Sequence, residues 1–263
     1  FAQPRRRGGA DLVTTPFVII IPARWQSTRL PGKPLCDIEG QTMIQRVVAQ
    51  AMLSAASRVI VATDHQDIKQ ALKRSACEVV MTQADLPSGT DRLAAAAASL
   101  NLSDDTIVVN LQGDEPLMPR ECLDQVAEGI AHAQTEMATL ACRFDHLEQL
   151  SDPNCVKVVT SLANRALYFS RAAIPFNRDQ DPTKTDDYLR HIGLYAYRVG
   201  FLRQFVQWPP TRLEQLEKLE QLRALAYGAE ILVEQSVRAV PAGVDTQEDL
   251  EQVRQYFREG NLP

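Results

Sequence analysis

The sequence lacks the long hydrophobic runs and the positive net charge that mark several large classes of protein. Its apolar runs are short and interrupted, which excludes a transmembrane helix and predicts that the membrane is not a partner. A net charge of −5 gives no general attraction for DNA or RNA, so nucleic acid is not an expected partner either. Any anion site must therefore be built locally from a few cations.

Cysteine and histidine are too sparse and too scattered to build a zinc site or a disulfide framework. The five cysteines are odd in number and form no CxxC pair, and the four histidines lack metal-ligand spacing. This usage is typical of a reducing environment, so we expect a cytoplasmic protein. Neither a GxxxxGK[ST] loop nor a GxGxxG loop occurs, which argues against ATP hydrolysis and nicotinamide chemistry.

Short apolar runs alternate with helix-like stretches over the first half of the chain. Strands are predicted at 17–22, 58–63, 77–81 and 106–112, and helices at 42–56, 65–75, 88–100 and 119–133. Fully apolar strands separated by helices indicate a mostly parallel sheet that is covered on both faces. After residue 135 the pattern becomes mixed, with strand-like segments at 137–144, 154–161 and 191–198. We expect an α/β fold with a mostly parallel, Rossmann-like sheet flanked by helices and a smaller mixed α+β subdomain.

Two segments are predicted to lie outside the packed fold. Residues 1–16 carry three consecutive arginines and are interpreted as a solvated tail in preference to a basic targeting segment. Residues 177–187 are strongly polar and predict a mobile excursion, which would serve as a lid or a dimer contact.

One helix is specified in unusual detail between residues 209 and 228. Thr211 and Glu214 form a capping box, and Gly228 supplies the stop. Leucines recur every three residues, so they sweep around the helix and Glu220 projects between two of them. Periodicity leaves Glu220 either at a solvated edge or inside a pocket, and by itself it favours the edge.

Three cations, Arg24, Arg29 and Lys33, stand in a loop directly after the first apolar run, with no carboxylate among them. They repel one another unless an anion lies between them, and a hydrogen bond to a charged phosphate contributes about 1.5–3 kcal/mol. Ligands of open α/β sheets also bind at the carboxyl ends of the strands. The loop therefore predicts a phosphate site in preference to a basic surface loop with counter-ions.

Two aspartates are candidates for holding a divalent cation beside that phosphate site. Asp114 follows the apolar run at 106–112, and Asp245 precedes the last predicted helix. Mg²⁺ prefers one or two carboxylates together with substrate oxygens. Asp245 has a second interpretation as a helix N-cap, with Glu248 three residues later. The segment SGTDR at 88–92 is likewise either a helix cap or a nucleotide contact, and the residues alone leave both alternatives open.

Nine motifs between residues 17 and 254 point to one family. They are IIPARWQSTRLPGKPL, VATDH, SGTDRL, VNLQGDEP, DPNCVKVV, ALYFSRAAIPF, LRHIGLYAYR, LEQLEKLEQLRAL and GVDTQEDLE. Together they resemble the 3-deoxy-manno-octulosonate (Kdo) cytidylyltransferases, also called CMP-Kdo synthetases. The first motif also suits the CMP-sialic acid synthetases, whereas the later ones favour Kdo as the acceptor.

The resemblance implies a homodimeric nucleotidyltransferase that transfers CMP from CTP to the anomeric hydroxyl of Kdo. It implies Mg²⁺ as the cofactor, pyrophosphate as the second product and a place in lipopolysaccharide synthesis. The implied domains are a tail at 1–16, a CTP-binding core at 17–136, a sugar-binding and dimerisation subdomain at 137–208, and a segment at 209–259 that completes the core.

The resemblance also assigns roles to individual residues. The implied catalytic set is Arg24, Lys33, Asp114 and Asp245, and the two aspartates are the implied Mg²⁺ ligands. The residues implied to bind CTP are Ala23, Arg24, Arg29, Lys33, Ser88, Gly89 and Gln112. The residues implied to bind the sugar acid are Arg171, His191, Tyr195, Glu220 and Gln221. By this analogy Glu220 belongs in a pocket.

The chain departs from the family pattern at two positions beside the expected base-binding loop. Gln83 stands where a basic residue is usual, and Pro87 stands where a polar residue is usual. Both bear on how CTP is distinguished from UTP. The alternative acceptors are 8-amino-Kdo and a sialic acid. A non-catalytic CTP-binding protein is the alternative from another class, and the acidic pair with Lys33 argues against it.

Overall fold

The structure, a computed structural model, describes residues 15–26, 30–144, 146–178 and 188–260. The strands are β1 (Phe17–Ala23), β2 (Asp37–Ile38), β3 (Gln41–Thr42), β4 (Arg58–Thr63), β5 (Glu78–Met81), β6 (Ile107–Asn110), β7 (Met137–Arg143), β8 (Lys157–Thr160), β9 (Ala166–Ser170), β10 (Leu189–Arg198) and β11 (Ile231–Gln235). The helices are α1 (Met43–Ala51), α2 (Gln66–Ala71), α3 (Gly89–Ser99), α4 (Arg120–Ala133), α5 (Val199–Phe205), α6 (Arg212–Glu217), α7 (Gln221–Ala226) and α8 (Gln247–Glu259).

In the described part of the chain, nine strands form one sheet in the order β11-β7-β10-β6-β1-β4-β5, and β8 and β9 extend it from β10. Strand β1 is paired in parallel with both β4 and β6. Strand β10 is antiparallel to its neighbours β6, β7 and β8, and β9 is antiparallel to β8. The other strands of this sheet run in one direction, so the prediction of a mostly parallel α/β fold is confirmed.

Strand β1 is the centre of the core because both of its faces are covered by helices. Ile19 and Ile21 pack with the apolar residues of α1, α2 and α4, whereas Val18 and Ile20 pack with those of α3, α5 and α7. Successive side chains of a strand point to opposite faces, so an all-apolar run is what this double burial requires. A third, smaller core joins α8 to β2 through residues such as Ile38 and Leu250.

The prediction of one continuous helix between residues 209 and 228 is wrong. The structure has two short helices, α6 and α7, separated by residues 218–220, and the first of these, Lys218, has a left-handed backbone with a φ of 53°. The Thr211–Glu214 capping box is present at the start of α6, and Gly228 has a φ of +80° just after α7. The break turns the second helix, and with it Glu220, in a direction that the leucine spacing did not predict.

Other differences are smaller. Helices α1 and α2 end earlier than predicted, at Ala51 and Ala71, and the sequence reading missed the short elements β9, α5 and β11. The predicted tail at 1–16 and the polar excursion at 177–187 lie largely outside the described residues. Among the described residues, no helix is both long and apolar enough to span a membrane. The domain boundaries stay predictions. Strands from both sides of the predicted boundary at residue 136 belong to one sheet.

Candidate active site

Loops beyond the carboxyl ends of β1 and β6 enclose a cavity of about 400 Å³, which we call the basic cleft. The structure brings together there every described residue that was predicted to bind CTP or Mg²⁺. These lining residues are Ala23, Arg24, Lys33, Ser88, Gly89, Gln112, Asp114 and Asp245. Arg29 lies outside the described residues, so its predicted role stays a prediction.

In the basic cleft, the ammonium group of Lys33 contacts two carboxylates and a backbone carbonyl oxygen. Its ammonium nitrogen lies 2.6 Å from a carboxylate oxygen of Asp114 and 3.1 Å from one of Asp245, and it donates a third hydrogen bond of 2.8 Å to the carbonyl oxygen of Val244. An ammonium has three N–H donors, and all three are used. Two aspartates that are distant in sequence therefore converge on one cation, with the Lys33 side chain only 14% exposed.

The interpretation of Asp245 as the N-cap of the last helix is wrong. The cap of α8 is Thr246, whose side chain accepts a hydrogen bond from the backbone of Asp249 and completes a capping box with that residue. The carboxylate of Asp245 is directed to Lys33 instead. Two aspartates converging on a cation form a donor set that fits Mg²⁺, which needs only one or two carboxylates when substrate oxygens complete its shell. The described residues hold no cluster of three or more metal-binding side chains, so the protein alone supplies an open set.

Ser88 satisfies both interpretations of the SGTDR segment. Its hydroxyl oxygen accepts a 3.1 Å hydrogen bond from the Asp91 backbone and so caps α3, and the same residue lines the basic cleft. The cleft thereby gains the first backbone N–H groups of α3, which attract anions. On the opposite wall, Gly113 allows close approach of β1, because a Cβ at that position would lie 2.9 Å from the carbonyl oxygen of Pro22.

A second cavity of about 210 Å³, which we call the polar chamber, opens beside the basic cleft. The two cavities share Gly89 and Gln112 as lining residues. The other lining residues of the polar chamber include Thr90, Asn110, Tyr195, Tyr197, Glu220 and Gln221. Three of the five residues predicted to bind the sugar acid therefore lie together.

Glu220 lies in the polar chamber and not at a solvated edge. One carboxylate oxygen accepts a 2.5 Å hydrogen bond from the hydroxyl of Thr90. The other oxygen is buried without a hydrogen-bond partner, at 3.6 Å from a guanidinium nitrogen of Arg223. Burial raises the pKa of Glu220, and the hydrogen bond from Thr90 opposes that shift. The hydroxyl of Tyr195 is also buried, and among the described residues neither it nor this oxygen of Glu220 has a hydrogen-bond partner.

The remaining two predicted sugar residues, His191 and Arg171, are not among the described lining residues of the chamber. The ring of His191 lies 5.3 Å from that of Tyr195, and its Nε2 is 3.0 Å from the hydroxyl of Thr139. Arg171 donates hydrogen bonds to the carbonyl oxygens of Glu217, at 2.7 Å, and Pro153, also at 2.7 Å.

Several lining residues were not predicted. Arg92 is 3% exposed, lines the basic cleft and pairs with Asp64 at 3.3 Å. Asp64 also accepts a 3.0 Å hydrogen bond from the backbone of Trp25, so this pair joins the cationic loop to α3. Thr90, Asn110 and Tyr197 line the polar chamber. These four lining residues stand inside or beside motifs that the sequence shows, but only their position around the cavities distinguishes them from core residues.

A comparison with family models matches residues 18–231 to a family described as Cytidylyltransferase. The chain belongs to this family. A 3-deoxy-manno-octulosonate cytidylyltransferase 2 of Actinobacillus pleuropneumoniae is 53% identical over 244 residues, which cover 90% of this chain and 97% of that protein. A 3-deoxy-manno-octulosonate cytidylyltransferase of Glaesserella parasuis is 54% identical over 247 residues, which cover 92% of this chain and 97% of that protein.

Solved structures of cytidylyltransferases share the fold. A CMP:2-keto-3-deoxy-manno-octonic acid synthetase in complex with CTP is 39% identical with a TM-score of 0.86, and the match covers 94% of this chain and all of that one. A cytidylyltransferase from Leptospira borgpetersenii, 18% identical with a TM-score of 0.62 over 93% of this chain and 88% of that one, is similar in fold alone.

Proposed function

We propose that this protein transfers CMP from CTP to the anomeric 2-hydroxyl of Kdo, giving CMP-Kdo and pyrophosphate. The names and identities of the two bacterial relatives support the reaction. The observation that carries the proposal for this chain is the paired cavity. A nucleotide in the basic cleft and a sugar acid in the polar chamber would meet at the wall formed by Gly89 and Gln112.

In this reaction the hydroxyl oxygen of the sugar forms a bond to the α-phosphorus of CTP, and the bond from that phosphorus to pyrophosphate breaks. Such a transfer needs alignment and neutralisation of charge more than covalent help from the protein. Arg24 and Lys33 supply positive charge on one side of the basic cleft, and the N-terminus of α3 supplies N–H donors on another.

Asp114 and Asp245 are the residues that would hold Mg²⁺. A bound Mg²⁺ would neutralise phosphate charge and lower the pKa of the attacking hydroxyl. The two carboxylates already share a cation, the ammonium of Lys33, so this position suits a positive charge.

Tyr195, Glu220 and Gln221 are proposed to bind the hydroxyl groups of the sugar acid, because all three line the chamber and the first two carry buried polar atoms without a hydrogen-bond partner among the described residues. Arg171 is proposed to bind the sugar carboxylate. It would exchange a backbone carbonyl for that carboxylate, since a hydrogen bond between two charged groups is the stronger one. His191 would support Tyr195 through ring contact. The homodimer and the cytoplasmic location also belong to this proposal.

The test is pyrophosphate release by the purified protein with Mg²⁺, CTP and each of three acceptors, namely Kdo, 8-amino-Kdo and a sialic acid. We expect turnover with CTP and Kdo and much less with UTP in place of CTP. Asp114→Asn should reduce turnover at least about a hundredfold. Asp85→Asn, at an exposed aspartate outside the cavity linings, is the control. Turnover with another acceptor alone would reassign the substrate, and CTP binding without turnover would indicate a non-catalytic protein.

A further inference from the structure

A lysine of strand β8, Lys157, is fully buried at 0% exposure. Its ammonium donates three hydrogen bonds to backbone carbonyl oxygens, namely those of Asp152 at 2.9 Å, Cys155 at 2.7 Å and Arg171 at 2.8 Å. All three N–H donors are therefore used. Burying an ammonium is costly, and an apolar side chain of similar size would avoid that cost, so the three bonds indicate a role beyond packing. They connect the turn at 152–155 to the chain just after β9.

Arg171 is held by side chains on both sides of its own backbone. It is the first residue beyond β9, whose last pair in the sheet register is Ser170 with Lys157. Its carbonyl oxygen accepts the hydrogen bond from Lys157, and its backbone N–H donates to a carboxylate oxygen of Glu217 at 2.9 Å. The other carboxylate oxygen of Glu217 accepts a 2.7 Å hydrogen bond from the hydroxyl of Ser170. Two charged side chains therefore fix a backbone position that lies beyond the last strand pair.

The guanidinium of Arg171 extends from this fixed backbone to the break between α6 and α7. Its Nε donates to the carbonyl oxygen of Glu217 at 2.7 Å, and a second nitrogen donates to the carbonyl oxygen of Lys218 at 3.4 Å. Glu220, which lines the polar chamber, stands two residues beyond Lys218. Arg171 thus lies at the same bend of the chain that brings Glu220 into the polar chamber.

We propose that Lys157 and Glu217 are positioning residues that hold Arg171 for the carboxylate of the acceptor. The guanidinium exchanges a backbone carbonyl for that carboxylate, and the two bonds to its backbone keep Arg171 in place during the exchange. This inference rests on the proposed function, in which Arg171 binds the sugar acid. Neither Lys157 nor Glu217 is among the described lining residues of the basic cleft. Damage to either should therefore weaken the binding of Kdo and leave the binding of CTP unchanged.

The test is steady-state kinetics of Lys157→Met and Glu217→Gln, with Kdo and CTP varied in turn. Lys157→Met keeps most of the volume and removes three donors, so the KM for Kdo should rise about tenfold or more, while the KM for CTP stays within about twofold. Glu217→Gln leaves one oxygen for two donors and should raise the KM for Kdo about threefold. Glu217 is half-buried, so this variant decides the matter if Lys157→Met does not fold.

The matched control is Val158→Ala, because Val158 is the next residue of β8, is 1% exposed and packs in the apolar core. The cavity that it leaves should lower the stability of the protein. Both KM values should nevertheless stay within about twofold, since a loss of stability alone reduces the amount of active protein and not its affinity for substrate.

The double variant Lys157→Met with Arg171→Ala should have a KM for Kdo little above that of Arg171→Ala alone, because Lys157 acts through that arginine. An unchanged KM for Kdo in the folded variants, an equal rise in both KM values, or additive effects in the double variant would each overturn the positioning role alone. A normal KM for Kdo in Arg171→Ala would overturn it as well. An unchanged protein that makes no CMP-Kdo would overturn the proposed function, and the positioning role with it.

Discussion

At the scale of the single residue, Lys33 combines two roles that the sequence suggests separately. Its place in the cationic loop predicts contact with phosphate, and the structure adds contact with Asp114 and Asp245. These partners lie 81 and 212 positions away along the chain. Local pattern contains no information on such pairs, so the sequence could name all three residues but not their contact.

Lys33→Met should reduce turnover at least about a hundredfold, because it removes a charge that stabilises the triphosphate. It should also destabilise the ligand-free protein by about 1–2 kcal/mol, since two carboxylates are left facing each other. Millimolar Mg²⁺ should then raise the Tm of the variant more than that of the unchanged protein, because ammonium and Mg²⁺ compete for the same carboxylates. Thermal unfolding with and without Mg²⁺ measures this difference.

The control for that experiment is Lys69→Met, at an exposed lysine of α2. It should respond to Mg²⁺ as the unchanged protein does. An equal or smaller response in Lys33→Met would mean that Mg²⁺ does not bind between these aspartates.

At the scale of the element, the break between α6 and α7 is the main failure of local sequence rules. The segment has no glycine or proline at the break, and its leucines suit a continuous helix. Tertiary contacts decide otherwise. The carboxylate of Glu217 accepts hydrogen bonds from the hydroxyl of Ser170, at 2.7 Å, and from the backbone of Arg171, at 2.9 Å. Beyond the break, Leu219 and Leu222 enter the core at 6% and 0% exposure.

The left-handed backbone of Lys218 allows a test of the helix break, because a broken and a continuous helix predict opposite orders of stability for the glycine and alanine variants at this position. Glycine adopts a positive φ without the cost of a Cβ, so Lys218→Gly should be more stable than Lys218→Ala by about 1 kcal/mol. In a continuous helix the order would be reversed by about the same amount, because glycine is the poorer helix former. Urea unfolding of the two variants gives the sign directly, and both lack the lysine side chain, so each is the control of the other.

At the scale of the whole molecule, the fold class was predictable because its main elements satisfy local rules. Runs such as Phe17–Ala23 and Arg58–Thr63 are apolar enough to be buried on both faces, and Ser88 starts α3 as its pattern predicts. The basic cleft was predictable for the same reason, since its residues follow strand ends. The polar chamber was less so, because it depends on strand β10, which runs against its neighbours, and on the helix break at Lys218.

The free energy of unfolding of the whole molecule should depend on pH through one histidine, His191. Burial, with a smaller contribution from the charge of Arg190, lowers the pKa of His191 from 6.5 to about 3. Between these values the unfolded chain binds a proton that the folded chain does not bind. The free energy of unfolding must therefore rise with pH from about 3 to 6.5 and fall as the medium becomes more acidic. This group alone should lower it by about 2 kcal/mol between pH 7 and pH 5.

His191→Gln removes the titrating ring and keeps an amide that can hydrogen-bond to Thr139. The variant loses ring contacts with Phe169 and Tyr195, so we expect it to be less stable than the unchanged protein at pH 7. Its stability should nevertheless fall by about 2 kcal/mol less between pH 7 and pH 5, as measured by urea unfolding at both values. His132→Gln, at an exposed histidine at the end of α4, should keep the pH dependence of the unchanged protein much more closely. If His191→Gln kept the pH dependence of the unchanged protein, His191 would have to be protonated in the folded state at pH 5. The interpretation of His191 as a buried, uncharged ring beside Thr139 and Tyr195 would then be wrong.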